Sequence, residues 1–170
     1  MAITLVNGRS QAAQNGASTQ PAAPIPAVGD HREWGIVDYQ TVLRWPVEQD
    51  AGSVMLRLGC GVGAVDFAAG RGRDIIVVLN ARDSLGPVLA LPGRWLRWVF
   101  LTTPDDPGAA GSSTAMVGAR LRMTGPDALP LPPSLTAHGP PRWIVAPRPG
   151  ACTLPRLQAV LSAAWQTVAV

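Results

Sequence analysis

Asp66 is the residue of this chain best placed to do chemistry. It stands in "GCGVGAVDF", Gly59 to Phe67, a stretch that can be read as a strand carrying an acid. Read as Gly59-x-Gly61-x-x-Ala64, the same stretch fits a dinucleotide fingerprint, whose glycines bring backbone amides to a pyrophosphate at a helix N-terminus. That chemistry needs a helix after the loop and an acid about 20 residues later. The chain continues instead as "AVDFAAGRGRD", with two glycines and no room for a helix directly on Gly63, and Asp83 lies in the turn "ARDSLG".

Three Arg-Trp pairs, Arg94-Trp95, Arg97-Trp98 and Arg142-Trp143, offer phosphate contacts beside stacking rings, the combination that holds single strands. The competing expectation is that Trp98 and Trp143 are core residues with their arginines on the opposite strand face. Alternation within "WLRWVFL" places Trp95, Arg97 and Val99 on one face and Leu96, Trp98 and Phe100 on the other, and the second set is expected to be the core. His31 and His138 flank turn residues with no acid or cysteine at metal-ligand spacing, so both are expected to face solvent. Cys60 and Cys152 make neither a disulfide framework nor a metal cluster and read as two partly buried thiols in a reducing cytoplasm. No G-x-S-x-G occurs, and no metal site is expected.

The elements that position these residues are legible from pattern. Residues 1–29 are rich in Ala, Gln, Ser, Pro and Gly without periodicity and are expected to be a disordered arm; residues 30–170 form a single domain. "DYQTVLRWP" reads as a short helix with Asp38 as N-cap, ended by Pro46. "SVMLRL" alternates, with Val54, Leu56 and Leu58 on one face, and reads as a strand; "VGAVDFA" is a second. "RDIIVVLNA", residues 73–81, carries a β-branched run that favours a strand, whereas its place between two strands suits a crossover helix, the reading adopted. "GPVLAL" and "WLRWVFL" form a hairpin turned at Pro92-Gly93, and "TPDDPGAAGSSTAMVG" is a flexible loop. "ARLRM", "ALPLPP" and "PRWIVAP" are short late strands. Thr153 and Pro155 begin a last helix with Leu157, Val160, Leu161, Ala164 and Val168 on one face. The whole is α/β in the broad α+β sense.

Composition narrows the classes. All 14 basic residues are Arg, and the formal net charge is +3, too small by itself to imply nucleic acid. After Asp106 the sole acid is Asp127, against Arg120, Arg122, Arg142, Arg148 and Arg156, so a phosphate-bearing partner is compatible with the C-terminal half. The most apolar run, "PVLALPGRWLRWVFL", is broken by Pro92, Arg94 and Arg97 and cannot span a membrane. With no basic region followed by an apolar core at the N-terminus, a soluble cytoplasmic protein with no membrane partner is expected.

The ordered series "RWP", "SVMLRLG", "CGVG", "AVDFA", "LPGRWLRWVF", "LRMTGPDALPLPPS" and "GPPRWIV" resembles the primase-polymerase domain of the archaeo-eukaryotic primase superfamily. It is most similar to the short, catalytically eroded actinobacterial relatives of that DNA-replication domain, from about Asp38 to Pro147. Active members carry a "VVDVD"-like strand, a "TPSGGRHLYF"-like hairpin and a "DVRGDGGYVVAPPS"-like segment. By contrast "VMLRLGCGVG" also looks like the first motif of methyltransferases that use S-adenosylmethionine, but the downstream chain is too short and proline-rich for their seven-stranded sheet.

The primase-polymerase resemblance implies a mixed sheet with flanking helices and a C-terminal amphipathic helix. Asp66 then matches the first metal-binding acid and Ala68 replaces the second. Arg97 falls on the histidine that contacts the triphosphate, and the later acid falls at or near Leu121. One of four functional positions remains, so nucleotidyl transfer is expected to be lost. No cofactor is then implied; Mg²⁺ or Mn²⁺ enters only if residual primase-polymerase activity persists through Asp66. Arg94, Arg97, Arg120, Arg122 and Arg142 are the residues expected to bind nucleic acid, a nucleotide or another anion. A scaffold for a protein partner, and a nucleotide-cofactor enzyme using Gly59–Ala64, are the remaining alternatives.

Overall fold

The computed structural model describes residues 33–103, 120–122, 128–150 and 153–168. In chain order these form α1 (Ile36–Thr41), β1 (Val47–Asp50), β2 (Ser53–Arg57), β3 (Gly63–Ala68), α2 (Ala69–Ala81), β4 (Val88–Leu91), β5 (Arg97–Thr102), β6 (Arg120–Arg122), β7 (Ala128–Leu131), β8 (Arg142–Val145) and α3 (Leu157–Gln166). The expected N-terminal arm, and all of the expected loop over 103–118 except Thr103, lie outside the described residues.

The class is α+β, with flanking helices and an amphipathic helix near the C-terminus. The strands form two antiparallel sheets where one mixed sheet was expected: β1-β2-β7, and β6-β3-β5-β4-β8. β5 pairs antiparallel with both β3 and β4, so those two run parallel to each other with β5 between them. β3-α2-β4 is therefore a split β-α-β unit. Inserting β5 turns what would be a parallel pair into two antiparallel ladders.

Each face of the five-stranded sheet has its own core. On one face Val65, Phe67, Val88, Trp98 and Phe100 pack against Ile75, Ile76 and Leu79 of α2 and Leu157, Val160 and Leu161 of α3. On the other, Ala64, Leu89, Val99 and Leu101 meet Val54, Leu56, Leu129 and Leu131 of the smaller sheet, with Trp34, Tyr39 and Trp45. A sheet covered on both sides has no polar face. The single apolar face expected for β5 is corrected accordingly: Val99 is as buried as Phe100, while Leu96 is exposed at the hairpin tip.

Local departures have local causes. Asp38 is not the N-cap of α1; it stands at the third helical position, and its carboxylate accepts the Gly35 N–H at 3.0 Å. α3 begins at Leu157, after Thr153 and Pro155, because the incoming segment is first held extended: the Thr103 N–H donates to the Pro155 carbonyl at 2.9 Å. Val168 lies beyond the end of α3 and is exposed. Residues 73–81 are helical, as the crossover placement required. Isoleucines 75 and 76 and Leu79 share the stripe that meets the sheet, and this packing overrides β-branched propensity.

The aromatic group under the smaller sheet is held by one phenol. Tyr39 is fully buried, stacks between Trp34 and Trp45 at centroid distances of 5.7 and 6.0 Å, donates to the Pro132 carbonyl at 2.9 Å and accepts from Trp143 Nε1 at 3.1 Å. Burial is the main reason its pKa is pushed up from 10.0 to about 12. The folded chain thus holds this proton more tightly than the unfolded chain. Its contribution is intact below pH 10 and is lost as pH rises towards 12, by about 2–3 kcal/mol in total. Denaturant unfolding at successive alkaline pH values measures this, and Tyr39→Phe is expected to flatten that segment of the profile.

Candidate functional site

Among the described residues, β3 and β5 create the one cluster that joins predicted site residues. In their antiparallel register Asp66 lies opposite Val99 and Ala68 opposite Arg97, so Arg97 is one diagonal step from Asp66 on the same face. The guanidinium closes that step. Arg97 Nε and Nη2 both bond Asp66 Oδ1, and Nη2 also donates to the Asp66 backbone carbonyl at 3.1 Å. Asp66 is wholly buried, while 32% of the Arg97 side chain remains exposed. A charged-group hydrogen bond shielded from water on the carboxylate side is strong, and it orients the arginine inward.

The other predicted residues distribute around this pair. Arg120 lies directly opposite Asp66 on the far side of β3, with Leu121 opposite Val65 and Arg122 opposite Ala64. Arg94 is exposed on the hairpin tip, its guanidinium carbon 5.9 Å from the centroid of the Trp95 ring. Arg142 is exposed at the start of β8 and pairs with Ala90, which packs with the helix-side core. Leu91, opposite Arg97, belongs to the other core. Arg142 and Arg97 therefore serve opposite faces of one sheet end and do not line a common cleft.

This geometry does not fit a catalytic metal pair. The buried carboxylate already carries a guanidinium, and Ala68 offers no ligand beside it. Among the described residues no three His, Cys, Asp or Glu side chains come together as a metal site. The glycine-rich stretch likewise differs from a phosphate loop. Gly59 to Val62 closes a turn, with the Gly59 N–H donating to the Val62 carbonyl at 2.8 Å, and the chain then enters β3, a strand.

Three surface clefts lie at the opposite end of the sheet. Their walls include Asn80, Asp83 and Arg148; Ser84 and Arg156; and Arg44, Cys60 and Thr103, and none reaches Asp66 or Arg97. Cys60 is exposed, a correction to the expected partly buried thiol, because it sits at the crest of the β2–β3 turn. His138 is exposed as expected; His31 and Cys152 lie outside the described residues. Trp98 is buried and Trp143 half-buried, as core residues should be. No described helix is long and apolar enough to cross a membrane.

Sequence reasoning missed the inward turn of Arg97. No local signal gives it, because the pairing that sets Arg97 opposite Ala68 and beside Asp66 joins two strands separated in the chain by α2 and β4. No family model, curated protein or solved structure matches this chain.

Proposed function

We propose that this chain is a non-catalytic domain of primase-polymerase type that binds nucleic acid, without metal, through the arginine-bearing end of its five-stranded sheet. The observation that carries this reading is the Arg97–Asp66 pair. A fixed guanidinium stands on the one acid that would otherwise hold a divalent ion. Phosphoryl transfer needs ions that position the triphosphate and take up developing charge, and one neutralised carboxylate supplies neither. Arg94 and Arg142 are exposed at the same sheet end and supply positive charge for phosphates.

Fluorescence anisotropy with a labelled single-stranded oligonucleotide across a salt series tests the binding. Affinity should fall steeply with salt, and Arg94→Ala and Arg142→Ala should each weaken binding several-fold and reduce the log–log slope by about one. In parallel, nucleotide incorporation with Mg²⁺ or Mn²⁺ should be absent. Metal-dependent incorporation that disappears in Asp66→Ala would show an enzyme instead. Affinity without salt dependence, or none at all, leaves a scaffold for protein contacts.

A further inference from the structure

The hairpin between β4 and β5 carries a tryptophan that serves no core. Trp95 is 74% exposed and Leu96 beside it 51%, whereas Trp34, Trp45 and Trp98 are buried. Large exposed rings are commonly interaction sites. Arg94 lies over the Trp95 ring, an arrangement that favours a flat anionic partner through both charge and stacking.

The tip is also anchored. The Ala69 N–H, at the first residue of α2, donates to the Leu96 carbonyl at 3.2 Å, which ties the hairpin to the helix start. There Arg71 Nη2 donates to the Ala164 carbonyl at 3.0 Å, linking α2 to the last turn of α3 and to Trp165, itself 40% exposed. Arg73 is exposed in the same helix, followed by the exposed Asp74. Arg94 stands against the ring, and Arg142, exposed at the same end of the sheet, adds positive charge complementary to phosphates.

We propose that Arg94-Trp95-Leu96 is a stacking finger for unpaired bases, so that the ligand of this sheet end is a single strand. The inference rests on the nucleic-acid reading above and sharpens it. A duplex hides its base faces and can offer this surface only phosphates, whereas a single strand lets a base cover Trp95 while its backbone meets the arginines. Stacking of this kind tolerates sequence because every base has a π-face.

The test compares a labelled single strand with a blunt duplex of equal length, by anisotropy, for the wild-type chain, Trp95→Ala and Trp95→Phe. Trp95 is exposed, so both variants should fold, which circular dichroism checks. The single strand should bind at least about tenfold tighter than the duplex. Trp95→Ala should weaken single-strand binding about tenfold or more, and Trp95→Phe should keep most of it. Duplex affinity and the salt slope should stay unchanged, since no phosphate contact is removed. Equal binding of strand and duplex, unaffected by Trp95→Ala, removes the finger but leaves nucleic-acid binding standing. Failure of both ligands to bind removes both readings. Polyglutamate that binds as tightly as the strand, with the same loss in Trp95→Ala, assigns the tip to an acidic protein and overturns the proposal.

Discussion

Arg97→Ala is expected to destabilise the fold by on the order of 3 kcal/mol, because it takes the guanidinium from a carboxylate that water cannot reach. Asp66→Ala should cost less, about 1 kcal/mol, although it breaks the same pair. The asymmetry comes from burial. Arg97 remains partly exposed and can turn its head to solvent on a flexible stem, whereas Asp66 has no such escape. Replacing both at once, Asp66→Leu with Arg97→Met, should recover much of the loss, since apolar residues of similar volume often match a buried ion pair. Chemical denaturation of the four proteins gives the comparison. Arg57→Ala is the control: Arg57 and Glu48 form an exposed pair at 2.7 Å, worth less than about 1 kcal/mol. Should Arg97→Ala unfold at the same denaturant concentration as Arg57→Ala, the pair is not what holds this end of the sheet. The same reasoning disqualifies Arg97→Ala as a clean binding variant, and Arg94→Ala and Arg142→Ala take that role.

Gly72→Ala should destabilise the chain by about 1–3 kcal/mol, the sign opposite to that of an ordinary helix. Glycine inside a helix normally costs up to about 1 kcal/mol relative to alanine. At position 72 an added Cβ would stand 2.7 Å from Trp98 Cε3 and 2.9 Å from Trp98 Cβ. Trp98 Cβ is fixed to β5 and cannot swing away, so α2 would have to lift from the sheet. Gly70, two residues earlier in α2, has no atom within 4 Å of an added Cβ, and Gly70→Ala should be neutral or stabilising by several tenths of a kcal/mol. Thermal melts of the two variants separate the effects. A stabilised Gly72→Ala would mean that helix and sheet are not in close contact there.

The two glycines also illustrate what can be read in advance. "AGRGRD" reads as a break before a helix over 73–81, because propensity scores both glycines alike. The helix instead begins at Ala69, and Gly72 is admitted because Trp98 needs the space. In the same way the strand over Val47–Asp50 is not legible in the sequence: "VEQD" lacks a regular apolar pattern, and only pairing with β2, which sets Val47 opposite Leu56, makes it a strand.

Several features were settled by the sequence alone. Alternation identified β2, the turn at Pro92-Gly93 identified the β4–β5 hairpin, and the apolar stripe of Leu157, Val160, Leu161 and Ala164 identified the last helix. These signals are local, arising from side-chain periodicity and backbone preference within a few residues. That Ala68, and not an acid, stands two residues after Asp66 is also read from the sequence directly. The tertiary structure decided what Arg97 does. As one of several arginines it reads as free to hold a ligand, and only the register of β5 on β3 turns it onto Asp66. That register joins residues 31 positions apart, and no local pattern encodes such a distance. It also separated Arg142 from Arg97 by placing them on opposite faces of one sheet, and it left Trp95 alone among the Arg-Trp pairs with its ring largely in solvent.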